Sequence, residues 1–413
     1  MTVPYHHQVA TTKSQLIFKL LLRWKGSLWK SVGAEYIIWI ILYFIIYAFY
    51  RYVLGESSQR DLEEFIRFCS SALDRIPLTF MLSFFVTTVV NRWTVMFQNL
   101  GMIDNIALFT SQYIKGNDDK GRLYRRNIAR YCCLAQAILF RDISMKVRRR
   151  FPTMESLVPS GFMMEHELEK FNAIKNRYNK SWVPLNWAIS LITMAKEEGR
   201  IDDDMLELAT CVEIRHLRVN MATVWQHDWI SIPVLYPQVV FAATYIYYIL
   251  GLFARQFIIA KDQVNGEVDV HFPIVFSFSF ILYVGWMKVA MALLNPFGED
   301  DDDFDCNFLL DRNLTLSLGC QDEHHKIPEV KKDSFWDIDQ AQPLYSLQSA
   351  MRKMNFFMGS ATAQEEAEGG MDKKALDIEM VPHPTNERLM NRNEPELRRR
   401  RVVTGIMDGR QVL

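Results

Sequence analysis

The 413-residue chain lacks the arrangements by which a sequence commonly announces catalysis: it has no P-loop glycine run, no HExxH and no nucleophile elbow. No residue is therefore a candidate for catalysis, and an enzyme is not expected. Its six cysteines, Cys69, Cys132, Cys133, Cys211, Cys306 and Cys320, contain no CxxC pair and no even spacing. That pattern argues against a zinc module or a disulfide scaffold and fits a reducing compartment. An excess of charge of either sign is also missing: 47 Lys and Arg stand against 48 Asp and Glu, for a net charge of −1. With no basic stripe interleaved with stacking aromatics, a nucleic-acid partner is excluded. The first thirty residues carry Lys13, Lys19, Arg23, Lys25 and Lys30 among apolar residues but no small-residue cleavage site, so no removed signal peptide is expected.

What the chain has in quantity is hydrophobic residues, 49% of the total, and aromatics, 13%, both unevenly placed. Tyr36 to Val53 has Arg51 as its only charge and is long enough to cross a hydrocarbon core of about 30 Å. Ile76 to Val90, extended backward through Ala72 and Leu73, is a second predicted span; Ile232 to Ile259 and Phe272 to Leu294 are the third and fourth. Arg255 and Lys288 lie near the ends of the last two, where long cationic side chains snorkel to the interface. Basic residues before Tyr36, between Arg122 and Arg130, and at Lys146-Val-Arg-Arg-Arg150 place those segments in the cytosol. Leu54 to Ser71 and Ala260 to His271, with few basic residues, become outer connections, and both termini become cytoplasmic.

This topology makes 91–231 a large cytosolic insert with helical patterning, punctuated by turns at Gly116-Asn117-Asp118, Phe151-Pro152 and Val183-Pro184. From Gly359 onward the composition is Ala, Glu, Asp, Asn and Arg rich and predicts disorder. The predicted organisation is an N-terminal arm (1–33), two spans with a pore neck (34–93), a helical cytosolic domain (94–231), two further spans (232–294), a clasp and tail (295–358) and a disordered terminus (359–413). Two sequons, Asn179-Lys-Ser181 and Asn313-Leu-Thr315, fall on the cytosolic side and should carry no glycan.

Two patterns point to function. Glu299, Asp300, Asp301, Asp302 and Asp303 follow directly on the apolar run ending at Leu294, and clustered carboxylates there suggest a hard-cation site coupled to the span. A solvated charge run is the alternative reading. Ile76, Phe80 and Phe84 recur every four residues, a step of 40° around a helix, beside the hydroxyls of Thr79, Ser83, Thr87 and Thr88. Such a stripe is either core or lipid-facing surface or, with several subunits round an axis, a set of stacked rings that gates by dewetting. Asp322-Glu-His-His325 is read as an exposed polar loop rather than a metal site, and Cys132-Cys133 as helix core.

The residues Arg75-Ile-Pro-Leu-Thr-Phe-Met-Leu-Ser-Phe-Phe-Val-Thr-Thr-Val-Val-Asn-Arg-Trp93, Gly121-Arg-Leu-Tyr-Arg-Arg126, Asp228-Trp-Ile-Ser-Ile-Pro233 and Asn295-Pro-Phe-Gly-Glu-Asp-Asp-Asp-Asp-Phe304 resemble the bestrophins, in order, within a similarity running from about Thr2 to Ser360. The resemblance implies an all-α membrane protein with four transmembrane helices and a helical cytosolic domain, assembled as a homopentamer round one pore. It implies a Ca2+-activated channel for chloride and other monovalent anions, at the plasma membrane by default, in contact with membrane lipid. By position it implies a neck at Ile76, Phe80 and Phe84 and a cytosolic aperture at Met205, where relatives carry a branched aliphatic. It also implies a Ca2+ clasp of Asp300 and Asp303 carboxylates with Ala10 and Asn295 carbonyls. Phe357-Met-Gly-Ser360 resembles the segment that controls inactivation, with Ser360 a candidate modification site. A carrier with a midplane site would show inverted repeats and interrupted spans, which are not seen here, and a non-conducting scaffold or modulator is the remaining alternative.

Overall fold

The computed structural model describes residues 5, 14–258, 272–324, 326–339, 341, 343–347, 378–379 and 401–402. The chain divides into two units, Met1–Ile327 and Pro328–Leu413.

In the first unit every described element is helical. Helix α1 (Ser14–Leu21) precedes α2 (Leu28–Ala48), whose N-cap Ser27 accepts from the Lys30 amide. A π-helical turn, Phe49–Val53, extends α2 to Val53. Then come α3 (Glu56–Leu73), α4 (Leu78–Gln98), α5 (Asp104–Tyr113), α6 (Asp119–Ile143), α7 (Met145–Arg150), α8 (Glu165–Ala173), α9 (Trp182–Glu197), α10 (Asp204–Trp229), α11 (Leu235–Ala254), α12 (Ile274–Leu294) and α13 (Cys306–Asp322). Among the described residues four helical stretches are long and apolar enough to cross a membrane: Leu28–Val53, Leu78–Gln98, Leu235–Ala254 and Ile274–Leu294. They overlap the four predicted spans, the first beginning earlier at Leu28 and the second ending later at Gln98.

Two cores hold this unit. One joins the four spans with α3, around Trp39, Tyr43, Leu82, Phe85, Tyr248 and Phe280. The Trp39 indole N–H donates to the Tyr248 carbonyl at 2.9 Å, so the polar edge of a buried ring is satisfied inside the layer. The other core surrounds α6, which is buried from Cys132 to Arg141. Cys132 and Cys133 are helix core as expected, and burial pushes the Cys133 thiol up to about 12. Two polar sets inside this core are matched to partners. Arg130 grips Glu167 at 2.5 and 2.7 Å, and Asn313 donates to Gln136 at 2.9 Å and to the Gly101 carbonyl at 3.2 Å. Asn313 is wholly buried, which leaves its sequon no room for a glycan.

Four expectations need correction. Leu54 to Ser71 is not a simple connection: most of it is α3, a helix whose scattered acids and bases hide a buried stripe of Ile66, Cys69 and Leu73. Ile76 is not on the helix with Phe80 and Phe84; Pro77 has ψ 59°, outside the helical region, and α4 begins at Leu78. Val183-Pro184 marks no turn; it lies in the first turn of α9, where amides lack intrahelical acceptors and proline is tolerated. Lys288 has a specific partner where only a solvated head group was expected. It pairs with Glu35 of α2 at 2.5 Å, and Glu35 also accepts from the Tyr245 hydroxyl at 3.2 Å.

The second unit has turns at Asp333–Trp336 and Phe335–Ile338 and an antiparallel pair, β1 (Ile378–Glu379) with β2 (Arg401–Val402). The pair falls inside the stretch predicted to lack structure; the rest of 359–413 lies outside the described residues.

Candidate functional site

Helix α12 stops at Asn295 because Pro296 cannot continue it: the C-cap residue has φ −128° and ψ 84°. The chain then folds into a short loop. The Phe304 amide returns to the Pro296 carbonyl at 2.8 Å, the Asp303 amide donates to the Asp300 carbonyl at 3.3 Å, and Asp305 caps α13 by accepting from the Phe308 amide at 3.1 Å. Phe297 and Phe304 are buried with ring centroids 5.6 Å apart, and Phe304 lies 5.4 Å from Trp93 and 6.1 Å from Phe97, both on α4.

The consecutive acids have different surroundings. Asp303 is 2% exposed and its carboxylate accepts from the Asp300 amide at 2.6 Å. Burial raises its pKa above the usual carboxylate range, the amide opposes the rise, and the Asp300 charge adds to it. Glu299 pairs with Arg149 of α7 at 2.7 Å, and Lys146 reaches the Asp300 carbonyl at 3.4 Å. Asp301 pairs with Lys30 of α2 at 2.7 Å and accepts from the Gly26 amide at 3.2 Å. The solvated-run reading therefore fails for Asp303, while Glu299 and Asp301 make partly exposed ion pairs, each with a different part of the fold.

Gly298 marks where the donors meet. A methyl group built there would lie 2.9 Å from Asp303 Oδ2 and 3.4 Å from the Asn295 carbonyl oxygen, so a buried carboxylate and a main-chain carbonyl border one small space. Among the described residues no three His, Cys, Asp or Glu side chains converge as metal ligands. A cation held here would thus draw on few carboxylates and several carbonyls, an oxygen set that suits Ca2+ rather than zinc. Ala10 lies outside the described residues, and so does Ser360.

On α4, Phe80 and Phe84 are 64% and 57% exposed, with rings 4.7 Å apart edge to face, while Leu78, Leu82, Phe85, Val86 and Val89 fill the core. Ile76 is half-buried just before this helix. Ser83 and Thr88 donate to their own helix's carbonyls at 2.7 and 2.8 Å, and the Thr79 and Tyr283 hydroxyls are 3.0 Å apart. Met205 is exposed on the first turn of α10, below its N-cap Asp203. Asp322 is taken by Arg122 at 2.8 Å and Arg126 at 2.7 Å, which removes the first residue of the Asp-Glu-His-His stretch from metal binding. Trp93, Phe97 and Glu35 were missed in the sequence. The aromatic pair at i and i+4 on the end of a span was the available sign for the first two.

Four long apolar helices around an aromatic core define a multi-pass membrane protein. The chain belongs to the bestrophin family: the family model described as "Bestrophin, RFP-TM, chloride channel" matches residues 1–323. It is 45% identical over 404 residues to bestrophin homolog 24 of Caenorhabditis elegans, covering 97% of this chain and 63% of that protein. It is 44% identical over 388 residues to bestrophin homolog 1 of the same organism, covering 93% of this chain and 85% of the relative. It is 40% identical over 362 residues to human bestrophin-3, covering 87% of this chain and 54% of the human protein. A crystal structure of a bacterial bestrophin homolog from Klebsiella pneumoniae superposes with a TM-score of 0.55 at 15% identity, over 70% of this chain and 99% of that one, a likeness of fold.

Proposed function

We propose that this chain is the subunit of a Ca2+-activated channel for chloride and other monovalent anions, a homopentamer round a central pore in the plasma membrane with both termini cytosolic. One observation carries the reading. Helix α4 presents Phe80 and Phe84 on an exposed face, and its other end packs Trp93 and Phe97 against Phe304 of the acid loop. The helix suited to line a pore is thus in contact with the loop suited to hold a cation.

Ca2+, when bound, supplies positive charge that offsets the carboxylates of Asp300 and Asp303. The residues that would hold it are these two, with the main-chain carbonyls of Asn295 and Ala10 as the further oxygen donors the resemblance implies. Phe304 follows Asp303 directly, so a change in the carboxylate's position shifts the ring on which Trp93 and Phe97 rest. From Phe84 to Trp93 the helix rises about 14 Å, a distance a rigid helix transmits without loss. Five copies of Phe80 and Phe84, with Ile76 at the helix mouth, form stacked hydrophobic rings that exclude water when close and conduct when slightly separated. Gating requires the clasp geometry to differ between closed and open states, since only differential affinity shifts an equilibrium.

The positive edges of the phenylalanine rings favour an easily dehydrated anion, and Met205 forms a second, pliant constriction. Phosphate on Ser360 would regulate inactivation by its added charge. Purified protein in planar bilayers tests the whole: discrete Ca2+-dependent unitary anion currents are expected. Slow saturable flux, the mark of a carrier, or silence, the mark of a scaffold, would overturn the proposal.

A further inference from the structure

The corner between α1 and α2 is built to meet the acid loop. The Trp29 indole N–H donates to the Leu21 carbonyl at 2.5 Å and closes the corner, while Ser27 caps α2. Gly26 has φ 64°, a left-handed conformation that glycine adopts without penalty, and its amide points at Asp301. Lys30, one turn into α2, reaches the same carboxylate oxygen, Oδ2, at 2.7 Å against 3.2 Å for the amide. Two donors from one short segment thus converge on one atom of a loop that lies 271 residues further along the chain.

Three other cations near this loop have partners of their own: Arg149 pairs with Glu299, Lys146 reaches the Asp300 carbonyl, and Lys288, which lines the same cleft, pairs with Glu35. Lys30 and Asp301 are 53% and 26% exposed. Such a pair adds little to folding stability. What it does fix is position, because α2 cannot shift relative to the loop without opening both contacts.

We propose that Lys30 and the Gly26 amide form a latch on Asp301 that carries the state of the cation loop into the first span, so that Lys30 and Asp301 are positioning residues for gating and not parts of the cation site. The inference rests on the Ca2+-gated reading above. A lysine near a cation site could act instead through its field, which would move the Ca2+ midpoint and leave the response at saturation unchanged. A latch acts on the response at saturation, because it couples a bound loop to the helix layer.

The experiment compares wild type, Lys30→Met, Asp303→Ala and the double reversal Lys30→Asp with Asp301→Lys, each as full-length channel. In Lys30→Met the open-to-closed ratio at saturating Ca2+ should fall about fivefold, the span of an exposed ion pair. Thermal stabilisation by Ca2+ and unitary conductance should be retained, and the double reversal, which remakes the ion pair but not the Gly26 amide contact, should recover part of the ratio. An unchanged ratio at saturation, whether or not the midpoint moves, overturns the latch, as does a double reversal no better than Lys30→Met. If Asp303→Ala keeps its Ca2+ response, the clasp reading itself fails. If Asp303→Ala loses that response while Lys30→Met reaches the full ratio, the latch alone fails.

Discussion

Replacing Asp303 by asparagine removes a charge and almost nothing else. The side chain is 2% exposed, and an amide oxygen can accept from the Asp300 N–H where the carboxylate does now, at 2.6 Å. Two opposite effects follow. Without divalent cation the wild-type carboxylate is disfavoured by burial, which raises its pKa in the folded state above the unfolded value of about 3.9. Between those two values the folded state binds the extra proton, so stability falls as pH rises through the window and stays lower at neutral pH. Asp303→Asn should therefore unfold at a higher temperature than wild type in chelator at pH 7, and the gap should close as the pH is lowered toward 4. With Ca2+ at one hundred times its dissociation constant the order reverses, because the wild type gains about 2.7 kcal/mol per site by mass action and the variant does not. Tryptophan fluorescence melts of the purified protein, in chelator and in Ca2+, read both effects. Equal stabilisation of the two proteins by Ca2+ would refute the placing of Asp303 at the cation site.

Phe80→Ala combined with Phe84→Ala removes two ring layers from the exposed face of α4, and patch clamp in Ca2+-free solution should record anion current well above background, since no hydrophobic constriction is left to dewet. Arg130→Met leaves the Glu167 carboxylate buried without its bidentate partner and should cost about 3–5 kcal/mol in denaturant or thermal unfolding; adding Glu167→Gln should recover most of that loss. Cys132 and Cys133 should resist maleimide labelling at pH 8 until the protein is unfolded, because burial raises both thiols and excludes the reagent.

The spans were legible because bilayer crossing is written in hydropathy along consecutive residues. Helix α3 was not, because Glu56, Arg60, Asp61, Glu63, Glu64 and Arg67 mask its buried stripe unless the 3.6-residue period is followed. The fourth-span boundary was legible where the apolar run gives out at Leu294, but the four-residue spacing hid Pro77, which separates Ile76 from the helix that carries Phe80 and Phe84. The pairing of Lys288 with Glu35 was not foreseen, because the two residues stand on the last and first spans, far apart in the chain. The acid run was recognised as a candidate cation site from composition and context. Its division of labour was not, since Lys30 and Arg149 meet it from 271 and 150 residues away, and side-chain pairing over such separations leaves no local trace.

That division of labour makes the run a ruler as much as a charge. Glu299 faces α7, Asp301 faces the start of α2 and Asp303 turns inward, so alternate residues point to different neighbours. Deleting one aspartate from Asp300–Asp303 would lower the charge by a single unit but shift every later residue by one place. The four aspartates being identical, the α2-facing position would keep an acid, but the inward position would fall to Phe304. A frame error of this kind should damage the channel far more than the neutralisation of any exposed acid in the run, and adding an acid elsewhere could not repair it.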